Sequence, residues 1–322
     1  MGSSGHYGPP HSNEDRLALL DQAYELGERF WDTADMYGDS EIVLGKWLAK
    51  NPEKRQSIFL ATKFGIQAIP SPPGYAINST PKYCRSAIDN SLQRLDLPFV
   101  DVYYVHRLDK VTPIEKTMEA LVELKNAGKI KHIGLSECSP DSLRRAYAVH
   151  PITCVQVEYS LFCTEIELPA RRLLEAAREL NVGIVAYSPL GNGVLTGLVR
   201  TRADVSKTGD LRGHLPWLAE EHIEKNIALV DRIGDIARQR GVSMPQLALA
   251  WLLKQGDDIF PIPGSSRIER LKGNLESSFI EVSDHDEKTL RLLGQEIAGG
   301  RFQNGNWLFL WGYSDFARLD EE

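Results

Sequence analysis

Four polar side chains lie where separate hydrophobic runs of this 322-residue chain end. Asp32 lies in FWDTADMYG with Tyr37 just beyond it, Lys63 lies in IFLATKFG, and His106 lies in DVYYVHRLD. Each run is rich in β-branched or aromatic residues and too short for a helix, which is typical of a buried parallel strand in a βα unit. Because chemistry in parallel α/β folds collects at the carboxyl ends of the strands, these four residues predict an enzyme.

The alternation of strand-like and helix-like segments continues along the chain and predicts one domain over residues 1–322. About seven extended runs can be counted, whereas a closed (β/α)8 TIM barrel needs eight, and the first segment is helical. We therefore expect a TIM barrel that lacks its first strand and has extra helices near the C-terminus. The opening stretch MGSSGHYGPP is interpreted as the loop that follows the missing strand.

Composition and charge argue against several classes of protein. The chain is 42% hydrophobic with a formal net charge of −7, and it has no basic block, so nothing favours a nucleic-acid or an anionic membrane partner. It shows neither a membrane span nor a signal peptide, so we expect a cytoplasmic protein. The cysteines have no metal-ligand spacing, so no metal is expected. We expect free buried thiols at Cys84, Cys138, Cys154 and Cys163.

Several segments together resemble the aldo-keto reductase superfamily over nearly the whole chain. They include WDTADMYGDSE, ATKFG, IGLSECS, AYSPLGNGVLTG and PIPGSSRIERLKGNLE. The similarity is greatest to the microbial and fungal NADP-dependent branch, the yeast-type and pyridoxal-reductase-like enzymes. The resemblance implies a TIM barrel whose N-terminal hairpin would be absent together with the first strand, because only MGSSGHYGPP remains of the usual opening motif.

The resemblance also implies a catalytic tetrad, because each of its four residues stands in its matching motif. Tyr37 would donate the proton in carbonyl reduction, and Lys63, kept charged by Asp32, would stabilise the phenolate that remains. His106 would hydrogen-bond and polarise the substrate oxygen. A structural ion pair between Asp32 and Lys63 is the alternative reading of those two residues alone.

The cofactor implied by the resemblance is NADP(H), and no GxGxxG follows a strand to suggest a Rossmann site. Ser136 and Gln156 would hydrogen-bond the nicotinamide carboxamide, and Tyr187 would stack on the ring. The residues that would hold the rest of the dinucleotide are Ser188, Leu190, Gly191, Gly193, Gly264, Ser265, Ser266, Arg267, Arg270 and Asn274.

The segment PIPGSSRIERLKGN favours NADP(H) over NAD(H). Gly264, Ser265 and Ser266 would present free N–H groups at the start of a helix, where an anion is stabilised. Arg267 and Arg270 would add positive charge for the 2′-phosphate. Glu137 is a further candidate with an open role, because many relatives carry Asn there and a carboxylate only accepts hydrogen bonds.

The expected substrate is a small-molecule aldehyde or ketone, contacted by His106, Arg107 and Trp307. Trp307 begins an aromatic tail that would either roof an apolar pocket or pack on the outer helices; its other aromatics are Phe309, Trp311 and Tyr313. We expect no obligatory protein partner, and the family's breadth suggests a tailoring step in secondary metabolism. The alternatives are a cofactor-binding regulatory subunit and a truncated, inactive reductase. Substrate identity, reaction direction and oligomeric state are not set by the sequence.

Overall fold

Seven parallel strands form the central sheet of the computed structural model, which describes residues 11–72, 74–205 and 210–301. Two further short strands, β3 (Ile66–Ala68) and β4 (Tyr75–Ile77), pair antiparallel beside it. In their order across the sheet, the seven strands are β1 (Phe30–Asp32), β2 (Phe59–Phe64), β5 (Val100–Val105), β6 (Ile130–Ser136), β7 (Cys154–Glu158), β8 (Gly183–Tyr187) and β9 (Ile259–Pro261). They coincide with the seven extended runs predicted from the sequence.

The strands run parallel because helices connect them and carry the chain back to the same end of the sheet. Since both faces of such a sheet are covered, the strands are hydrophobic on both faces. All six residues of β5 and all five of β7 are buried, as is usual for strands covered on both sides. The parallel register sets Lys63 of β2 opposite Tyr104 of β5 and Ser136 of β6 opposite Gln156 of β7. Predicted functional residues on neighbouring strands therefore lie at similar heights.

Helices follow the strands and cover the outside of the sheet. Several begin at a side-chain cap; Thr80, for example, accepts a hydrogen bond from the N–H of Tyr83, and Pro81 occupies the first helical position. Within the described residues the helices are α1 (Asn13–Glu25), α2 (Ser40–Lys50), α3 (Pro81–Leu95), α4 (Ile114–Asn126), α5 (Pro140–Val149), α6 (Leu173–Glu179), α7 (Glu220–Gln239), α8 (Met244–Leu253), α9 (Ile268–Glu276) and α10 (Asp284–Gln295).

The sheet curls around a small interior core. Phe30 of β1 and Ile262, just after β9, pack against the same buried cluster although they belong to opposite ends of the strand order. The members of this cluster are Ala61, Val102, Tyr104, Cys154 and Val185. Gly134 of β6 makes room for it, since a Cβ there would lie 2.4 Å from the Tyr104 ring. On the outside, α1 contacts both α2 and α9, so the first and last helices that flank the strands meet.

The result is a (β/α)8-type barrel, and α7 and α10 are the extra helices expected near the C-terminus. No helix in the described part of the chain is long and apolar enough to cross a lipid bilayer. The opening stretch 1–10, interpreted above as a loop after a missing strand, lies outside the described residues.

Candidate active site

The four predicted catalytic residues come together at the carboxyl end of the barrel. Asp32 is the last residue of β1, Lys63 lies one residue before the end of β2, and His106 follows β5 directly. Tyr37 lies in the turn after β1, where its N–H donates to the carbonyl oxygen of Ala34 at 3.1 Å. Three neighbouring strands therefore position the group, because parallel strands end at the same edge of a sheet.

Lys63 is fully buried and lies at the centre of this group. Its Nζ donates to Asp32 Oδ1 at 2.5 Å, the carbonyl oxygen of Thr33 at 2.7 Å and the hydroxyl oxygen of Tyr37 at 3.4 Å. Burial, the largest single influence, would lower the pKa of this ammonium, but attraction by and hydrogen bonds to Asp32 and Tyr37 together outweigh it, and the pKa lies above its ordinary value. Lys63 therefore presents a positive charge to the oxygen of Tyr37.

His106 faces Tyr37 from the β5 side. Their ring centroids are 5.8 Å apart and the ring planes are nearly perpendicular, at 85°. His106 is only 6% exposed, and its N–H donates to the carbonyl oxygen of Phe64 at 2.6 Å, which holds the backbone against β2. Two hydrogen-bonding side chains in this arrangement can contact one substrate oxygen.

Ser136 and Gln156, the predicted carboxamide-binding residues, are both buried and lie side by side on β6 and β7. Gln156 Nε2 donates to Asp32 Oδ2 at 2.8 Å, while Lys63 occupies Oδ1 of the same carboxylate. One of the predicted carboxamide-binding residues, Gln156, thus contacts one of the predicted catalytic residues, Asp32, directly.

A cleft of about 930 Å³ opens beside the segments that follow β8 and β9. Gly191 is the one residue predicted for these segments that does not line it, since it is buried and its N–H donates to the carbonyl oxygen of Ser188 at 2.9 Å. The predicted residues that line the cleft are Ser188, Leu190, Gly193, Gly264, Ser265, Ser266, Arg267, Arg270 and Asn274.

Two further arginines line the same cleft. They were not predicted, because no motif in the sequence around them indicates a ligand site. Arg16 lies in α1 and donates to Asp39 at 2.8 Å, a hydrogen bond that lowers the pKa of Asp39 below its ordinary value. Arg212 lies in an irregular stretch between β8 and α7, where it pairs with Asp210 at 2.6 Å. Both guanidinium groups add positive charge to the lining of the cleft.

The cleft fits a phosphate-bearing dinucleotide. Its volume is within the range of small-molecule and cofactor sites. Gly193 adopts φ 91°, which only glycine adopts easily, so the backbone can approach a ligand closely. The start of α9 and four arginines, the two just described and the two predicted ones, supply donors and positive charge.

Glu137 does not line this cleft. It follows β6 in the left-handed region at φ 51°, pairs with Arg301, and accepts the N–H of Glu158 at 3.1 Å. Burial would raise its pKa, but attraction by Arg301 and Arg107 outweighs burial and holds the pKa below its ordinary value. The carboxylate of Glu137 is thus directed to Arg301, and this geometry gives a cofactor contact no support.

Arg107 lies between the catalytic and carboxamide-binding residues. Its Nη1 donates to the carbonyl oxygen of His106 at 2.7 Å and to Ser136 Oγ at 3.3 Å. Trp307, the other residue predicted for the substrate, lies outside the described residues together with the rest of the aromatic tail.

The fold and the site define a class of protein. A barrel whose carboxyl end carries a Tyr, a His and a buried Lys–Asp pair, beside a cleft for a phosphate-bearing dinucleotide, is a nicotinamide-dependent oxidoreductase.

Comparisons with known proteins identify the family. The model of the aldo/keto reductase family matches residues 1–293. The chain is 45% identical over 309 residues to aldo-keto reductase yakc of Schizosaccharomyces pombe, whose name carries NADP(+), with 95% of this chain and 90% of the relative covered. It is 43% identical to aldo-keto reductase str7 of Strobilurus tenacellus, with 94% and 88% covered. The glycerol dehydrogenase AKR11B4 from Gluconobacter oxydans has a similar structure, with a TM-score of 0.80, 26% identity, and 92% and 90% covered.

The chain therefore belongs to the aldo/keto reductase family and is an oxidoreductase. The predictions of the family, of the barrel fold and of NADP(H) as cofactor are confirmed. The roles assigned to single residues stay predictions.

Proposed function

We propose that this enzyme uses NADPH to reduce an aldehyde or a ketone to the alcohol and that Tyr37 donates the proton. The observation that carries this proposal is the buried Lys63 ammonium, which lies 3.4 Å from the hydroxyl oxygen of Tyr37 and is held by Asp32. A fixed positive charge at that oxygen stabilises the phenolate that remains after proton transfer. A merely structural Lys–Asp pair would not need to point at a tyrosine hydroxyl.

The chemistry of the remaining residues follows from their positions. When bound, the cofactor supplies a hydride ion to the carbonyl carbon, and the electron pair of the C=O π bond moves to the oxygen. That oxygen takes the proton of the Tyr37 hydroxyl while His106 donates a hydrogen bond to it. The phenolate is balanced by Lys63 and later regains a proton from water.

The roles of the cofactor residues are those that the resemblance to the family implies. Ser136 and Gln156 would hold the nicotinamide carboxamide, and Tyr187 at the end of β8 would stack on the ring. The turn after β8 would take the pyrophosphate with residues Ser188, Leu190 and Gly193, which line the cleft, whereas Gly191 does not line it. The segment after β9 would take the adenosine 2′-phosphate and base, with residues Gly264, Ser265, Ser266, Arg267, Arg270 and Asn274.

Substrate contacts and cellular setting complete the proposal. Arg107 adjoins His106 and Ser136, so it is placed to donate to a polar group next to the reacting carbonyl. A cytoplasmic location is supported by the four cysteines, which are all buried free thiols. A tailoring step in secondary metabolism is supported only by the breadth of the family.

The test is NADPH oxidation with a panel of aromatic and aliphatic aldehydes, for the wild type and for Tyr37→Phe. We expect Tyr37→Phe to lower turnover by roughly 10²- to 10⁴-fold, the usual contribution of a positioned proton donor, while NADPH still binds. Tyr147→Phe, a change on the outer helix α5, is the matched control and keeps wild-type turnover. Wild-type protein that binds NADPH but reduces no aldehyde would favour the regulatory alternative, and substantial turnover by Tyr37→Phe would refute the donor assignment.

A further inference from the structure

Arg301 brings a buried positive charge to the ends of β6, β7 and β8. It follows α10 and is only 6% exposed. Its Nε donates to Glu158 Oε2 at 2.6 Å, and its Nη2 donates both to the hydroxyl oxygen of Tyr187 at 2.7 Å and to Glu137 Oε1. One guanidinium thus joins residues at the ends of three strands.

The two carboxylates fix the position of this guanidinium. Burial and charge act in opposite directions on both carboxylates. Burial raises the pKa of Glu158, whereas the pKa of Glu137 is lowered because attraction by Arg301 and Arg107, together with hydrogen bonds, outweighs burial. Glu137 is therefore the more strongly ionised partner. A buried charge needs such partners, and removing one of them leaves the others uncompensated.

The same group of contacts continues into the turn after β8. Glu158 Oε1 accepts from Asn192 Nδ2 at 3.4 Å, and Ser188 Oγ donates to Asn192 Oδ1 at 3.1 Å. Ser188 and Asn192 adopt φ values of 48° and 53°, in the left-handed region that non-glycine residues rarely use. These hydrogen bonds help to hold two unfavourable backbone conformations beside Tyr187.

We propose that Arg301 is a positioning residue of the nicotinamide site: with Glu137 and Glu158 as its anchors, it fixes the ring of Tyr187 in the orientation that a stacked nicotinamide requires. This inference rests on the proposed function, which assigns Tyr187 to the nicotinamide. It also gives Glu137 a role as an anchor of Arg301.

The inference predicts a defect in hydride transfer that is larger than the defect in binding. In Arg301→Gln the Tyr187 hydroxyl loses a charged donor and the ring is less fixed. A displacement of the reacting groups by about 1 Å lowers the rate by about 100-fold. We therefore expect hydride transfer in single turnover to slow by roughly 10- to 100-fold. The Kd for NADPH should rise by a smaller factor, because the contacts of the adenosine end are unchanged. Arg301→Lys should recover part of the rate, because an ammonium keeps the charge but not the planar fork.

A second measurement does not depend on turnover. The circular dichroism of the reduced nicotinamide band, recorded with NADPH alone, reports how the ring is held in its chiral site. We expect Arg301→Gln to weaken this signal at saturating NADPH. Arg232→Gln is the matched control, since among the described residues Arg232 forms an exposed pair with Glu296 alone, at 3.2 Å, and this variant should change neither readout.

The outcomes separate the two proposals. Folded Arg301→Gln with wild-type hydride transfer and dichroism would overturn the positioning role, even if its thermal stability fell. If that variant does not fold, Tyr187→Phe replaces it, because it keeps the ring and removes the oxygen that Arg301 contacts; wild-type signals in Tyr187→Phe would overturn the role equally. If the wild type binds NADPH but reduces no carbonyl, the proposed function fails, and the dichroism comparison still decides the role of Arg301. A wild type without NADPH binding overturns both proposals.

Discussion

Asp35 should make this protein less stable as the pH rises towards neutrality. Its Oδ2 accepts a hydrogen bond from the Tyr83 hydroxyl at 3.2 Å, whereas its Oδ1 is shielded from solvent and has no hydrogen-bond partner in the described part of the chain. Burial, and then repulsion by Glu41, raises the pKa of Asp35 to about 7, although Tyr83 and Arg94 act in the opposite direction. The protonated carboxyl group is therefore the form that the folded protein prefers.

The sign and the size of the effect follow from linkage. Between the ordinary pKa of 3.8 and the raised value of about 7, the folded state binds more protons at Asp35 than the unfolded state does. The free energy of unfolding therefore falls as the pH rises through this window and levels off above it. Three pKa units correspond to about 4 kcal/mol, at 1.36 kcal/mol each. Because the residue as a whole keeps some exposure, we expect roughly 2 to 4 kcal/mol.

The perturbation is Asp35→Asn, which keeps the shape and removes the titration. Urea unfolding followed by tryptophan fluorescence, from about pH 4 to about pH 8, gives the free energy of unfolding of both proteins. We expect the variant to be more stable by a margin that widens as the pH rises, since most other titrations cancel in the difference. Asp89→Asn, which removes an exposed pair with Lys129, is the control and should show no such trend. A constant difference, or a wild type that gains on the variant at higher pH, would refute the reasoning.

Two further predictions concern the cofactor cleft and the cysteines. Arg267→Ala should raise the Kd for NADPH by about 10-fold or more, the scale of one lost charge-assisted contact, and leave the Kd for NADH nearly unchanged, as measured by fluorescence titration; equal weakening of both would remove the phosphate role. Burial raises the pKa of Cys84, Cys154 and Cys163, so a thiol reagent should react with them only after denaturant is added, and rapid reaction of the native protein with all of them would contradict the buried, free state.

The strands, and the grouping of Asp32, Tyr37, Lys63 and His106 at one edge of the sheet, could be predicted because their signals are local. A parallel strand covered on both faces is a continuous hydrophobic run, and the polar residue that ends the run marks the catalytic edge. The hairpin of β3 and β4 was not predicted, because each strand has only three residues and the connection SPPG resembles an ordinary loop. The turn at Thr80 and Pro81 was predicted because cap chemistry depends only on adjacent residues.

The missed residues are those whose role depends on distant parts of the chain. Arg301 is separated in sequence from Glu137 by 164 residues and from Glu158 by 143. No sequence pattern around Arg301 indicates that its charge is buried. Arg212 lies in a 3-10 helix of only four residues, which is too short to show a periodicity that would place it. The sequence alone did not show what the carboxylate of Glu137 contacts. The structure shows that it pairs with Arg301. Sequence patterns find side chains at element ends, whereas pairing between distant segments requires the folded structure.

One hydrogen bond ties the chemistry of this site to the closure of its barrel. Asp32 lies on β1 and Gln156 on β7, and these strands are separated by four steps in the order of the sheet. In a flat sheet, four steps of about 4.8 Å would place them roughly 19 Å apart. Gln156 Nε2 nevertheless lies 2.8 Å from Asp32 Oδ2, so the sheet must curl until the two strands face each other across its interior. The carboxylate that holds Lys63 beside Tyr37 is therefore fixed on its second oxygen by the opposite wall. A change that opens the barrel should therefore disturb the contacts of Asp32 with Lys63 and, through Lys63, the proposed proton donor Tyr37.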